Sequence, residues 1–188
     1  MVKSTEIEEV KIIEPKVFND DRGFFYESFN VNSLQNEGIN FIPVQQNCAF
    51  SIKKGTIRGL HFQNNPMAQA KLVRCTVGRV MDYAVDLRKD SPTYLKHVKV
   101  ELSAENKRQL YIPRGFAHGV ISLEDNSAIE YFADNPYSPE NDRSIRYDDP
   151  SINIKWEIEE LILSEKDKNA PFAENSDCNF VMNKGEGR

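Results

Sequence analysis

The chain has 188 residues, 39% of them hydrophobic and 28% charged, with a formal net charge of −5, three cysteines and three histidines. A chain of this length buries about 70% of its unfolded surface, so folding needs no metal or disulfide, and Cys48, Cys75 and Cys178, odd in number and without Cys-x-x-Cys spacing, argue against a disulfide framework or zinc ribbon. The acidic balance argues against nucleic-acid binding but leaves room for one anionic small molecule on a local basic cluster.

The first fifteen residues, MVKSTEIEEVKIIEP, alternate charged and apolar residues and lack the apolar core of a signal peptide. No long apolar run follows, so a cytoplasmic protein without membrane contact is expected. Asn19-Asp20-Asp21-Arg22-Gly23 is a turn, and residues 31–37 form a short helix. The stretch from Asn47 to Arg58 is expected as a loop. Gly55 to Gln63 carries an unusual concentration of polar and ionisable residues for a strand, and Lys71 heads the next one. Strict alternation puts His61 and Gln63 on one face and Arg58 on the other, but Gly59 lies where a bulge could re-aim a side chain.

Met81, Tyr83, Val85 and Leu87 alternate with Asp82 and Asp86, and Val98, Val100 and Leu102 with Lys99 and Glu101. Both patterns predict half-buried strands with the apolar set inward. Turn signals at 53–55, 64–66, 88–92 and 113–115 separate the strands at antiparallel spacing. Pro113-Arg-Gly115 delivers His118 into a further strand, and Tyr131, two residues from Ile129, is expected to face inward. Ser164 and Asp167 fit a helix capping box. From Glu174 the composition turns polar, which separates a domain at 1–173 from a tail at 174–188. The physical reading is an all-β double-sheet sandwich, a jelly roll or related barrel, with few short helices.

Taken singly, His61 and His118 read as satisfied core histidines, Arg58 and Lys71 as solvated strand ends, and Asp167 as a cap. Together, three cationic or titratable groups on neighbouring strands exceed what solvation requires. A β-sandwich metal site wants paired histidines two residues apart. The residue two beyond His61 is Gln63, and His97 and His118 supply no such pair, so no metal is expected. His97 is expected on an exposed strand edge, and each cysteine in a buried structural role. Gly-x-Gly-x-x-Gly, Walker and Gly-x-Ser-x-Gly patterns are missing from the sequence.

Asp21-Arg-Gly-Phe-Phe-Tyr-Glu27, Arg58-Gly-Leu-His-Phe-Gln63, Lys71-Leu-Val-Arg74, Asp86-Leu-Arg-Lys-Asp-Ser-Pro-Thr93, Ile112-Pro-Arg-Gly-Phe-Ala-His-Gly119 and Leu163-Ser-Glu-Lys-Asp167 occur in this order. With these motifs the chain resembles the dTDP-4-dehydrorhamnose 3,5-epimerases over roughly residues 5 to 172. The resemblance implies a cupin-like jelly roll, a homodimer and no metal or cofactor. It also implies epimerisation at C3 and C5 of dTDP-4-dehydro-6-deoxy-D-glucose, toward dTDP-L-rhamnose. On the family pattern His61 is the base, Asp167 its orienting partner, Tyr131 the acid across the ring, and Lys71 the positive group beside the ketone. Arg58 and His118 match sugar and phosphate contacts, and Gln45, Asn47 and Lys166 match nucleotide contacts. Arg22 and Glu27 match residues that reach the neighbouring subunit's site. Asp142 occupies a substrate-binding position usually given to Glu, and Arg114 one where many members are acidic. Two alternatives stand beside it: a single-centre epimerase on a related dTDP-4-keto-6-deoxy sugar, which shares the His and Asp motifs, and a non-catalytic cupin-like sugar-nucleotide binder, against which the retained His61, Asp167, Tyr131 and Lys71 speak.

Overall fold

A computed structural model describes residues 1–182. The strands are β1 (Val2–Ser4), β2 (Lys11–Ile13), β3 (Phe18–Asp20), β4 (Gly23–Phe25), β5 (Gln45–Ser51), β6 (Ile57–Gln63) and β7 (Lys71–Val77). They continue as β8 (Arg79–Asp86), β9 (His97–Ser103), β10 (Gln109–Ile112), β11 (Phe116–Ser122), β12 (Ser127–Ala133) and β13 (Asp142–Ser144). A short helix, α1 (Val31–Asn36), lies between β4 and β5, and another, α2 (Glu165–Lys168), follows β13. One sheet runs β1-β2-β10-β7-β12-β5 and the other β13-β6-β11-β8-β9, with antiparallel pairing throughout. This is the expected all-β, cupin-like double-sheet architecture. The hairpin of β3 and β4 stands apart from both sheets.

The core between the sheets contains Val73, Cys75, Val80, Ala84, Val98, Val100, Leu102, Leu110, Ile112, Phe116, Val120 and Ile129. Burial of such aliphatic surface, at about 25 cal/mol per Å², is the main term holding the layers together. The outer face of each sheet is covered too. Leu34, Ile39 and Phe41 pack on Leu72 of the six-stranded sheet, while Ile145, Ile152, Ile154 and Phe180 cover the five-stranded one.

That second covering reverses the expected polarity of β8. Tyr83, Val85 and Leu87 face the outer cluster, while Val80 and Ala84 face the interior between the sheets. Asp82 and Asp86, expected outside, share the parity of Val80 and Ala84 and are fully buried. Alternation alone identifies two faces without telling which is inside when both are covered. Asp86 is satisfied by the turn that follows it: its carboxylate accepts from the Arg88 backbone N–H and guanidinium and from the Ser91 and Thr93 hydroxyls.

Residues 45–51 form the edge strand β5 rather than the start of a loop, in register with β12 from Gln45↔Ala133 to Ser51↔Ser127. Its pattern is nearly the inverse of a half-buried strand, with Phe50 exposed and Ser51 buried, which hides it from an apolar-periodicity reading. Cys48 lies exposed on this strand, contrary to the buried role expected, because its side chain points off the outer face of an edge. Cys75 is buried. Residues 177–182 run beside the β8–β9 turn: Phe180 packs on Phe62, and Lys89 N–H donates to Phe180 O. Residues 183–188 of the expected tail lie outside the described residues.

The position that aims the site is Gly59. The register of β6 against β11 shifts between His61↔His118 and Arg58↔Val120, as a bulge requires. Ile57, Leu60 and Phe62 therefore face the outer cluster, while Arg58 and His61 both open into one cleft between the sheets. Gly59 adopts φ +138°, and a Cβ there would meet Gly119 Cα at 2.5 Å and the His118 carbonyl oxygen at 2.8 Å. Gly59→Ala is expected to destabilise the chain by about 3 kcal/mol, through forced separation of two backbones. A Tm lower by roughly 6–12 °C in a thermal melt is the expected reading, and an unchanged Tm would show that the strands can part freely.

Candidate functional site

The cleft between the sheets measures about 460 Å³ and is lined by Arg58, His61, Lys71, His118, Tyr131, Lys166 and Asp167, with Thr56, Ile129 and Leu163 among the flanking residues. This size is within the ordinary range for a small-molecule site. A slightly larger cleft of about 590 Å³ is lined by Arg88, Arg114 and Met182, but its two arginines are already paired with Asp86, Glu9 and Asp134. In the first cleft two cations, Arg58 and Lys71, have no carboxylate in direct contact among the described residues.

His61 Nε2 lies 2.5 Å from Asp167 Oδ1, joining β6 to α2. The short helix begins as expected, with the Ser164 hydroxyl accepting the Asp167 N–H at 3.1 Å. The other half of a capping box is not made, because the Asp167 carboxylate turns to the histidine. Burial pushes its pKa up, but the His61 hydrogen bond and charge, the Ser164 cap and Lys166 outweigh this and hold it below the usual carboxylate value of 3.8. A carboxylate accepting at Nε2 leaves the His61 Nδ1 lone pair as the basic nitrogen.

Lys71 and Tyr131 come from the opposite sheet, on β7 and β12. The Lys71 ammonium sits 5.5 Å from the centre of the Tyr131 ring. Burial lowers the Lys71 pKa to about 8, against opposing pulls from Asp82 and Asp142. Tyr131 faces inward as its spacing with Ile129 predicts. Burial, reinforced by Asp142, pushes its hydroxyl pKa up against the lowering effect of Arg58, so it is a protonated donor at neutral pH. The Tyr131 ring also meets His118 edge-on, with centroids 6.2 Å apart.

Arg58 is fixed near the mouth by bonds to Ser51 Oγ and the Phe50 carbonyl. Lys166 pairs with Asp142, which lies on β13 beside β6. Gln45 and Asn47 bond to each other on β5, where Asn47 is opposite Tyr131. Neither Arg22 nor Glu27 lines the His61 cleft. Arg22 projects from the β3–β4 hairpin, paired among the described residues only with Asp20, and Glu27 accepts from Asn30 and Ser33 beside a different cleft. Gln63 is structural: its amide donates to the Met67 and Pro136 carbonyls and its oxygen accepts from Ser138 N–H. His97 lies half-buried on edge strand β9 against Tyr83, outside the cleft. Sequence reasoning missed Asp82, whose Oδ2 lies 3.0 Å from His118 Nε2. Its apparent outward parity on β8 concealed it. Among the described residues, no group of three or more His, Cys, Asp or Glu side chains is placed to hold a metal ion.

The family model described as dTDP-4-dehydrorhamnose 3,5-epimerase matches residues 4–175. A Shigella flexneri protein of that name is 51% identical over 168 residues, covering 89% of this chain and 93% of its own. The crystal structure of a dTDP-6-deoxy-D-glucose-3,5-epimerase from Legionella pneumophila Philadelphia 1, in complex with dTDP-4-keto-L-rhamnose, superposes with a TM-score of 0.90 at 45% identity, covering 94% of each chain. A 3'-monoepimerase from Streptomyces bikiniensis, in complex with dTDP-quinovose, has a TM-score of 0.85 at 33% identity, over 91% of this chain and 87% of its own.

The Asp167 pairing generates a pH dependence. A carboxyl whose folded pKa lies below its unfolded value stabilises the fold above the unfolded pKa, and that contribution disappears as pH falls through the folded one. The Tm of the wild type is therefore expected to fall on the acid side of pH 3.8 more steeply than that of Asp167→Asn. Parallel acid limbs in the two melting profiles would mean that the ion pair contributes nothing.

Proposed function

The chain belongs to the dTDP-4-dehydrorhamnose 3,5-epimerase family, and from that premise we propose that this cleft inverts C3 and C5 of dTDP-4-dehydro-6-deoxy-D-glucose by proton transfer, in the supply of dTDP-L-rhamnose. The enzyme is an isomerase. Both centres adjoin the C4 ketone, so loss of either proton gives an enolate, and return of a proton to the opposite face inverts the carbon. Such chemistry needs a base on one side of a flat ring, an acid on the other and positive charge at the oxygen.

The observation that carries this reading is the division of those groups between two sheets. His61, backed by Asp167, comes from the five-stranded sheet, and Tyr131 and Lys71 from the six-stranded one, so a sugar between the sheets meets base and acid on opposite faces. His61 Nδ1 takes the proton, and Asp167 holds the ring and stabilises the imidazolium that forms. Tyr131 donates from the far side, and the Lys71 ammonium stabilises the enolate oxygen. Arg58 and Lys166 line the same cleft and supply positive groups to the diphosphate, and His118 presents its Nδ1 to the sugar. Gln45, Asn47 and Asp142 flank the nucleotide end. The reaction as written requires no cofactor.

The working unit in this reading is a homodimer in the cytoplasm. Phe18, Phe24 and Phe25 on the isolated hairpin are 53%, 59% and 71% exposed, an apolar surface suited to a second copy of the chain. Seated on that copy, the hairpin carries Arg22 and Glu27 toward the partner's nucleotide, which accounts for their distance from the site of their own chain. No helix among the described residues is long and apolar enough to cross a membrane.

Product analysis by NMR tests the assignment. The wild type is expected to yield dTDP-4-dehydro-L-rhamnose. A product inverted at one carbon selects the single-centre epimerase, and binding without any product selects the non-catalytic binder. His61→Ala is expected to lower kcat by about a thousandfold or more. Tyr131→Phe is expected to slow inversion more than initial proton loss, and equal slowing would count against the acid role. Phe24→Asp with Phe25→Asp is expected to give a monomer in light scattering with weakened dTDP binding. A monomeric wild type would overturn the dimer.

A further inference from the structure

Beneath the cleft lies a second carboxylate–histidine pair that the reaction as described does not use. Asp82 is fully buried at the centre of β8, with Oδ2 on His118 Nε2 and Oδ1 without a hydrogen-bond partner among the described residues. His118 is itself buried, is the register partner of His61 across β6 and β11, and has its ring between Asp82 and Tyr131. A half-satisfied buried carboxylate is costly relative to an apolar side chain of the same volume. The core around it, of Val80, Ala84, Val73, Ile129 and Val120, offers every opportunity for such a replacement.

We propose that Asp82 is a positioning residue for the epimerisation: its Oδ2 fixes the His118 ring, and its charge faces the Lys71 ammonium from beneath the same cleft. The inference rests on the reading of the cleft as an epimerase site. Held at Nε2, His118 presents a single ring orientation to the ligand, with Nδ1 as its free nitrogen. Lys71 is buried, and burial opposes its charge. The groups that face it are Asp82 from β8, Asp142 from β13, the Tyr131 ring from β12, and, across the cleft, His118 from β11, His61 and Arg58 from β6, and Lys166 and Asp167 from α2. Asp142 already pairs with Lys166, and Asp167 with His61. Asp82 pairs with His118 in the same way, but it is the most buried of the three and its Oδ1 is unpartnered among the described residues and shut off from solvent, so its negative charge acts with the least screening to hold Lys71 cationic in the form the enolate needs.

The test is the pH profile of kcat/KM for Asp82→Asn, which keeps the shape and loses the charge. The wild type is expected to lose activity on the alkaline side near the Lys71 value of about 8. Without a facing negative charge the amine deprotonates earlier, and the alkaline limb is expected to move about one unit to lower pH. A limb that stays in place overturns the proposal, whatever the loss in absolute rate, because a merely structural role lowers the rate equally at every pH. Should the variant fail to fold, the wild type provides a second reading. Ring 15N shifts of His118 between about pH 6 and pH 9 are expected to show Nε2 protonated throughout, and a mixture of tautomers would overturn the fixed orientation. Failure of the wild type to epimerise would refute the reading of the site and leaves the 15N result to judge the pairing by itself.

Discussion

Everything at the site depends on how closely β6 and β11 approach at Gly59 and Gly119. A Cβ at Gly59 would collide with backbone, and one at Gly119 would meet Leu60 Cδ2 at 2.6 Å. With hydrogen in both places the strands close, and the extra residue of the bulge is absorbed at that point. Leu60 then seals the outer cluster, while Arg58 and His61 appear together in the cleft. Without the bulge, alternation would assign one of the two to the outer layer.

The same closure sets the electrostatics. Three cations and two histidines line a cleft in a protein of net charge −5. Their charge is matched locally: Asp167 on His61, Asp82 on His118 and Asp142 on Lys166. Lys71 and Arg58 have no carboxylate partner in direct contact among the described residues, so they are the charges of the cleft left free to receive an anion. Net charge is therefore a poor guide to the ligand here, since the acidic excess lies over the rest of the surface, and only the field within the cleft selects an anion.

Much of this was legible in the sequence. Period-two alternation and turn residues give an all-β double sheet, and the motifs around Arg58, Lys71, His118 and Ser164 mark the residues that meet in the cleft. Other parts were hidden for physical reasons. The β8 alternation is real, but both faces of that strand are covered, so Asp82 and Asp86 read as exposed when they are fully buried. Strand β5 places exposed Phe50 and Cys48 on the outside of an edge and so lacks the apolar periodicity of a buried strand. The Asp167 side chain serves His61 instead of completing the local cap its spacing suggests, since a contact across 106 residues leaves no local trace. Arg22 and Glu27 show the opposite case: their motif is plain in the chain, yet the fold places both away from the His61 cleft.

The central claim is that His61 and Tyr131, facing each other from two sheets, move protons at both carbons beside a ketone. Its most direct test is deuterium incorporation into dTDP-4-dehydro-6-deoxy-D-glucose by the wild-type chain in D2O, followed at C3 and C5 by NMR. The account predicts deuterium at both carbons with inversion at each. Retention of the original proton at either carbon, with the nucleotide sugar demonstrably bound, would contradict it.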